Sequence, residues 1–493
     1  MFSNTLIRQI VENYKPVWAL RHASSMFDWD LETYMPLEAA KSRGFAQAQV
    51  ALMRQQRVLD LAELVGKAEK LGNLNDYEKG IVRTINRELK YFVKVPPNLI
   101  EEMQRTQTEA TVVWREARRK SDFSMFQAYL EKIIELKKKE AEKLGYEGHP
   151  YNALLDIFEE GLTTSDVDKI FSALVPNSKR IFERILHSRK FPSYHKLEEV
   201  GYEENAMKLV NQEILKILGM PDRRFRMDVS THPFTSGISL DDVRITTRYE
   251  GKSFRETIYS VIHECGHALY DLQIEHAYEY TPLATGASLG VHESQSRFWE
   301  NIIGRSKGFT KILLPVLRRN LPFMSRFTED DVYKYFNLVR PSPIRVTADE
   351  VTYNFHIAVR YEIEKKLIGG EAVVSEVPSL WNDMMEEYVG VRPKSQSDGV
   401  LQDVHWSGGM IGYFPTYSLG NVIAGMINNL IQRDMDLHDT LERGDVNEIK
   451  VWLRDHIHKW GSSYSPKELQ HKIFREVYNT EHLVKYLEEK YNA

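Results

Sequence analysis

The sequence predicts a mainly α-helical protein with one small β-sheet, and three observations carry that prediction. Up to about residue 190 the chain shows long helix-period stretches with polar faces, such as MFQAYLEKIIELKKKEAEKLG. Between about 190 and 250 it turns to β-branched and turn residues, and VRITTRY in that window reads as a strand. From Ser253 onward helical patterning resumes, punctuated by capping signals. The chain is therefore divided into a helical part, 1–190, and a part, 191–493, that carries the sheet and the later helices as one continuous unit.

In chain order, turn signals break the first part at KVPPN (94–98) and GYEGHP (145–150). Thr164 or Ser165 is the expected N-cap of the helix in GLTTSDVDKIFSALVP. Ser253 and Glu256 form an expected capping box, as do Thr347 with Glu350 and Ser465 with Glu468, the last with Pro466 at the first helical position. Gly369 and Gly370 are expected to close the helix opened by the second box. The glycine-rich, aromatic segment 391–420 reads as a long ordered loop, because Trp406, Tyr413, Phe414 and Tyr417 oppose disorder.

Composition narrows the function classes. With 65 basic and 70 acidic residues the net charge is −5, which gives no basis for nucleic-acid binding. No run approaches the roughly 20 apolar residues of a bilayer helix. The first residues, MFSNTLIRQIVENY, alternate apolar and polar groups and lack a signal-peptide core. A single cysteine, Cys265, suits a reducing compartment, so a cytoplasmic protein is expected.

The informative stretch is SVIHECGHALYDL, 260–272. On a helix starting near Ser253, His263 and His267 project from one face a turn apart, so their imidazoles can converge on one ion. Glu264 lies about 100° further round, where it reaches a water beside that ion rather than the ion itself. Neutral imidazoles leave the ion's charge intact to acidify water, and a carboxylate takes the proton as the water attacks a carbonyl. His-Glu-x-x-His is the layout expected for metal-assisted amide hydrolysis, against the plainer possibility of polar residues on a core helix. Cys265 falls on the apolar side with Ile258 and Leu269 and reads as packing. A third ligand is required. Asp271, Glu275, Glu279, Glu293 and Glu300 follow, and a helix returning antiparallel near HESQSRFWE makes Glu293 and Glu300 equally suited by geometry.

HECGH followed by HESQSR resembles the thermostable metallocarboxypeptidases of the carboxypeptidase Taq family. Further segments carry the resemblance in order: DWDLETYMP (28–36), His232-Pro233-Phe234, Asp242-Val243-Arg244-Ile245-Thr246, Ile344 to Asp349, and Gly399 to Trp406. The resemblance implies a large helical zincin-like fold with a deep active-site groove walled by the N-terminal half. It implies Glu293 as third ligand, zinc as cofactor with cobalt or manganese as alternatives, and a homodimer. It also implies release of single C-terminal residues from peptides with broad specificity, disfavouring proline.

Recognition of a free α-carboxylate suits arginine, whose planar guanidinium binds it bidentately. Arg345 is the first candidate, with an ion pair to Asp349 or another acid as the competing role. Arg244 is the second, and its pairing with Asp242 is the favoured reading there. His232, His405 and Tyr417, with Tyr413 behind it, are candidate donors to the peptide or the oxyanion. Asp271, Asp349 and Asp403 are candidate partners for the free ring nitrogens of the metal-binding histidines. The expected activity is thus that of a zinc-dependent carboxypeptidase acting on peptides with a free C-terminus. The alternatives are an oligopeptidase on the same scaffold, or a metal-binding protein without catalysis.

Overall fold

The computed structural model describes residues 2–188 and 190–492. It is mainly helical, with one three-stranded sheet: β1 (Phe225–Val229), β2 (Thr235–Ser239) and β3 (Asp242–Thr247), in the order β1-β3-β2. β1 runs parallel to β3, and β2 antiparallel to it with Thr235 opposite Ile245. The strand expected over VRITTRY is β3, whose Val243, Ile245, Thr246 and Thr247 are buried. Both breaks foreseen in the first part occur: one helix ends at Lys94 before the next starts at Pro97, and another ends at Leu144 before Tyr151.

The chain separates into two compact units, each assembled from three segments. One comprises Met1–Phe92, Tyr194–Phe336 and Ile427–Val477, and the other Val93–Ser193, Asn337–Met426 and Tyr478–Ala493. The division expected at 190/191 is therefore not the one packing follows. Secondary-structure character changes there, but the first 92 residues pack with the sheet and the two-histidine helix rather than with the helices that follow them.

Three capping expectations need correction. Ser253 precedes the helix Phe254–Leu272 but sits in the left-handed region, with φ 55°, and makes no side-chain cap. Thr163, not Thr164 or Ser165, caps the helix Thr164–Ser188: its Oγ1 accepts from the Asp166 amide, and Asp166 accepts from the Thr163 amide. The Thr347–Glu350 box does not form. Asp349 instead accepts from the Val351 and Thr352 amides ahead of the helix Tyr353–Gly369, while Glu350 accepts from Tyr486 and Tyr491. The Ser465–Glu468 box with Pro466 and the Gly370 C-cap (φ 83°) occur as expected.

The glycine-rich segment is a loop only to Phe414, because a helix, Pro415–Ile431, begins inside it. Buried Glu364 fixes this loop, accepting from Trp406 Nε1 at 2.7 Å and from the Gly412 amide at 2.8 Å. Among the described residues no helix is long and apolar enough to cross a membrane.

Candidate metal centre

The helix Phe254–Leu272 is anchored by a fully buried apolar face that includes Phe254, Ile258, Val261, Ile262 and Cys265. Its opposite side carries His263 and His267, whose ring centroids lie 4.9 Å apart. A second helix, Leu289–Arg297, starts at Ser288, whose hydroxyl accepts from the Val291 amide, and brings Glu293 to the histidines. Glu293 Oε2 lies 3.6 Å from His263 Nε2 and 3.3 Å from His267 Nε2. Ligands at about 2.0–2.1 Å around a tetrahedral ion stand about 3.3–3.4 Å from one another, so this donor set fits a single small divalent ion. These three residues are the group so arranged among the described residues.

Close approach of the two helices depends on Gly266. A Cβ there would lie 2.6 Å from Ser296 Cα and 2.7 Å from the Gln295 carbonyl oxygen. The glycine between the histidines thus lets the second helix come near enough for Glu293 to reach them.

Each donor is itself held. Glu293 Oε1 accepts from Arg297 Nε at 2.7 Å and Oε2 from Ser296 Oγ at 3.1 Å, which leaves Oε2 as the oxygen facing the imidazoles. Burial pushes the Glu293 carboxyl up, but Arg297 and the two histidines outweigh it and hold it well below the usual carboxylate range. His263 Nδ1 lies 2.9 Å from Glu300 Oε2, and Glu300 is also bound by Arg297 and Arg305. Glu300 therefore orients His263 from behind, while Glu293 stands before the two Nε2 atoms. A π-helix, Phe298–Gly304, carries Glu300 into that position.

His267 Nδ1 is 2.7 Å from His292 Nδ1, and His292 Nε2 is 3.1 Å from Asp271 Oδ1. With Nε2 of His267 serving as donor atom, its Nδ1–H donates to His292, which donates onward to Asp271. Of the three aspartates considered from sequence, Asp271 thus acts through an intervening histidine. Asp349 and Asp403 are engaged elsewhere. With His263 as a ligand of the ion, Glu300→Gln is expected to weaken metal binding about 10–100-fold, the usual effect of losing an outer partner of a ligating histidine, as read by chelator competition.

Glu264 is buried, and its Oε2 accepts from Thr235 Oγ1 on β2 at 2.6 Å. Sequence reasoning missed Thr235, His292 and Arg297. The last two stand within HESQSR beside Glu293, so their proximity was a usable signal. Thr235 had none, since nothing local tells which helix residue a strand hydroxyl meets.

Other candidates fall into two groups. Arg244 makes the expected bidentate pair with Asp242, at 2.7 and 2.6 Å, and lies over the Trp29 ring. His232 is exposed. Arg345, His405 and Tyr417 come together in the other unit. Arg345 is buried and makes the ion pair foreseen as its competing role, with Asp403 rather than Asp349: its Nε and Nη2 bind Asp403 Oδ1 at 2.9 and 2.8 Å, and Nη1 binds Tyr353. Arg360 binds the other oxygen of Asp403 at 2.6 Å, which sets two guanidiniums against one carboxylate. His405 Nε2 lies 3.1 Å from Tyr417 Oη, and burial pulls the imidazole down to about 4, so it is neutral at pH 7.

Residues 9–491 match the family model described as carboxypeptidase Taq (M32) metallopeptidase. The chain is 48% identical over 495 residues to thermostable carboxypeptidase 1 of Pyrococcus furiosus, covering 100% of this chain and 99% of that one. It is 34% identical to carboxypeptidase 1 of Bacillus subtilis, covering 99% and 98%. Its structure superposes on a Pyrococcus furiosus carboxypeptidase with a TM-score of 0.98 at 48% identity, covering 99% of each chain. On an M32 carboxypeptidase from Deinococcus radiodurans the TM-score is 0.94 at 29% identity, again with 99% of each chain covered.

Proposed function

Since the chain belongs to the carboxypeptidase Taq (M32) family of metallopeptidases, we propose that it releases single C-terminal residues from peptides of varied sequence, with Glu264 as general base. The observation that carries this reading is the convergence of His263 Nε2, His267 Nε2 and Glu293 Oε2, with Glu264 on the next helix position. His263, His267 and Glu293 would hold the ion. The nitrogen-rich donor set favours zinc, with cobalt or manganese as substitutes. When bound, a divalent ion there supplies Lewis acidity, which polarises the scissile carbonyl and acidifies water.

Glu264 withdraws a proton from the attacking water as its oxygen bonds to the carbonyl carbon. It then delivers that proton to the amide nitrogen as the C–N bond breaks, so the leaving amino acid departs as a neutral amine. Arg345 is assigned the terminal carboxylate of the peptide, supported by the excess positive charge of the Arg345–Asp403–Arg360 cluster. His405 and Tyr417, adjacent to Arg345 in that unit, are assigned as hydrogen-bond donors to the peptide, and exposed His232 as a weaker one. The bidentate pair with Asp242 supports a structural role for Arg244 over a contact with peptide. Action as a cytoplasmic homodimer is part of the same reading, supported by the family resemblance and the lone buried Cys265.

The test is hydrolysis of an N-acyl dipeptide and its C-terminally amidated twin by the metal-loaded protein. Cleavage of the free acid alone is expected. Equal cleavage of both would move the reading to an oligopeptidase, and cleavage of neither, with metal bound, to a metal-binding protein without this activity.

A further inference from the structure

The edge strand β2 meets the two-histidine helix at two points. Thr235 Oγ1 reaches Glu264 Oε2 at 2.6 Å and stands 3.1 Å from the Glu264 carbonyl oxygen. Two residues on, a Cβ at Gly237 would lie 2.5 Å from Asp271 Oδ2. Thr235 and Gly237 share one face of the strand, and Glu264 and Asp271, two turns apart, share one face of the helix. The strand therefore lies along the helix with its side chains in fixed register to it. The residue before Thr235 is tied to β3 as well: the Thr246 amide donates to the Phe234 carbonyl at 2.9 Å, and the Phe234 amide donates to Thr246 Oγ1 at 3.1 Å.

We infer that Thr235 is a positioning residue for the reaction, whose hydroxyl holds the Glu264 carboxylate by Oε2 and so presents Oε1 to the attacking water. This rests on the assignment of Glu264 as general base. A glutamate side chain has three torsions to order, and a base that must first be oriented is slower than one held in place. The hydroxyl's hydrogen is committed to the carboxylate, and its methyl is not needed for that task.

The experiment compares Thr235→Val, Thr235→Ser and Glu264→Gln in the metal-loaded enzyme on the N-acyl dipeptide. Valine keeps the β-branched shape the strand favours and removes only the donor. Expected for Thr235→Val is a fall in kcat of about 10–100-fold, as for a lost hydrogen bond to a charged group, with KM and metal affinity by chelator competition unchanged. Thr235→Ser is expected to restore kcat to near the wild-type value. In the metal-free protein, isotope-edited infrared spectra should show a carboxylate stretch that shifts with Thr235→Val and is absent from Glu264→Gln. Wild-type kcat in Thr235→Val, equal losses in the Val and Ser variants, or a kcat loss that tracks metal loss would each overturn the inference. An active Glu264→Gln would instead remove the general-base assignment on which the inference rests.

Discussion

Glu264→Gln is expected to lower kcat by about 10²–10⁴-fold, the range that a positioned general base contributes, while the protein still binds its ion. The amide matches the carboxylate in shape, and its carbonyl oxygen can still accept from Thr235 Oγ1. His263, His267 and Glu293 are untouched, so metal affinity should change little. What is lost, in the proposed mechanism, is the basic oxygen that takes the water's proton and returns it to the leaving nitrogen. Steady-state kinetics on the N-acyl dipeptide, with metal content determined on the same samples, separate these effects. Loss of metal in step with activity would assign Glu264 to binding the ion instead.

Gly266→Ala is expected to damage the proposed ion site although it alters none of its proposed ligands. In an exposed helix interior, alanine is favoured over glycine by about 1 kcal/mol. Here the added Cβ meets only backbone: Ser296 Cα at 2.6 Å, the Gln295 carbonyl oxygen at 2.7 Å and the Ser296 amide nitrogen at 2.9 Å. Backbone cannot rotate aside, so the helices must part, and overpacking of this kind costs about 1–3 kcal/mol. Glu293 lies less than a turn from Ser296, so the separation carries its Oε2 away from the histidines. Metal affinity should fall more than about tenfold, and the melting temperature should drop by about 1–3 °C. Chelator competition and thermal unfolding of the metal-free protein measure the two effects, and a rise in Tm with unchanged affinity would contradict the packing argument.

Much of this site was legible because its information is local. His263 and His267 share a face by helical spacing alone, and the apolar residues opposite them guaranteed a buried helix. The small sheet announced itself through β-branched residues in a chain otherwise built of helix-period stretches. Distinguishing Glu293 from Glu300 was not local. Their spacing suits both, and the choice depends on how closely the second helix approaches at Gly266 and on the π-helical turn that aims Glu300 at His263 Nδ1. The caps show the same limit. Ser465 with Glu468 acts as its pattern suggests, whereas Glu350 is drawn to Tyr486 and Tyr491 far along the chain. The boundary at 190 followed composition, but packing gathers segments distant in sequence, which no linear change of character records.

The most direct test of the account is the metal content of Glu293→Gln after equilibrium dialysis against zinc at a concentration that saturates the wild type. The wild type is predicted to retain one ion per chain, and the variant to lose most of it, because the amide offers a neutral and weaker donor at the position facing both Nε2 atoms. A full ion bound as tightly by Glu293→Gln would contradict the His263–His267–Glu293 site.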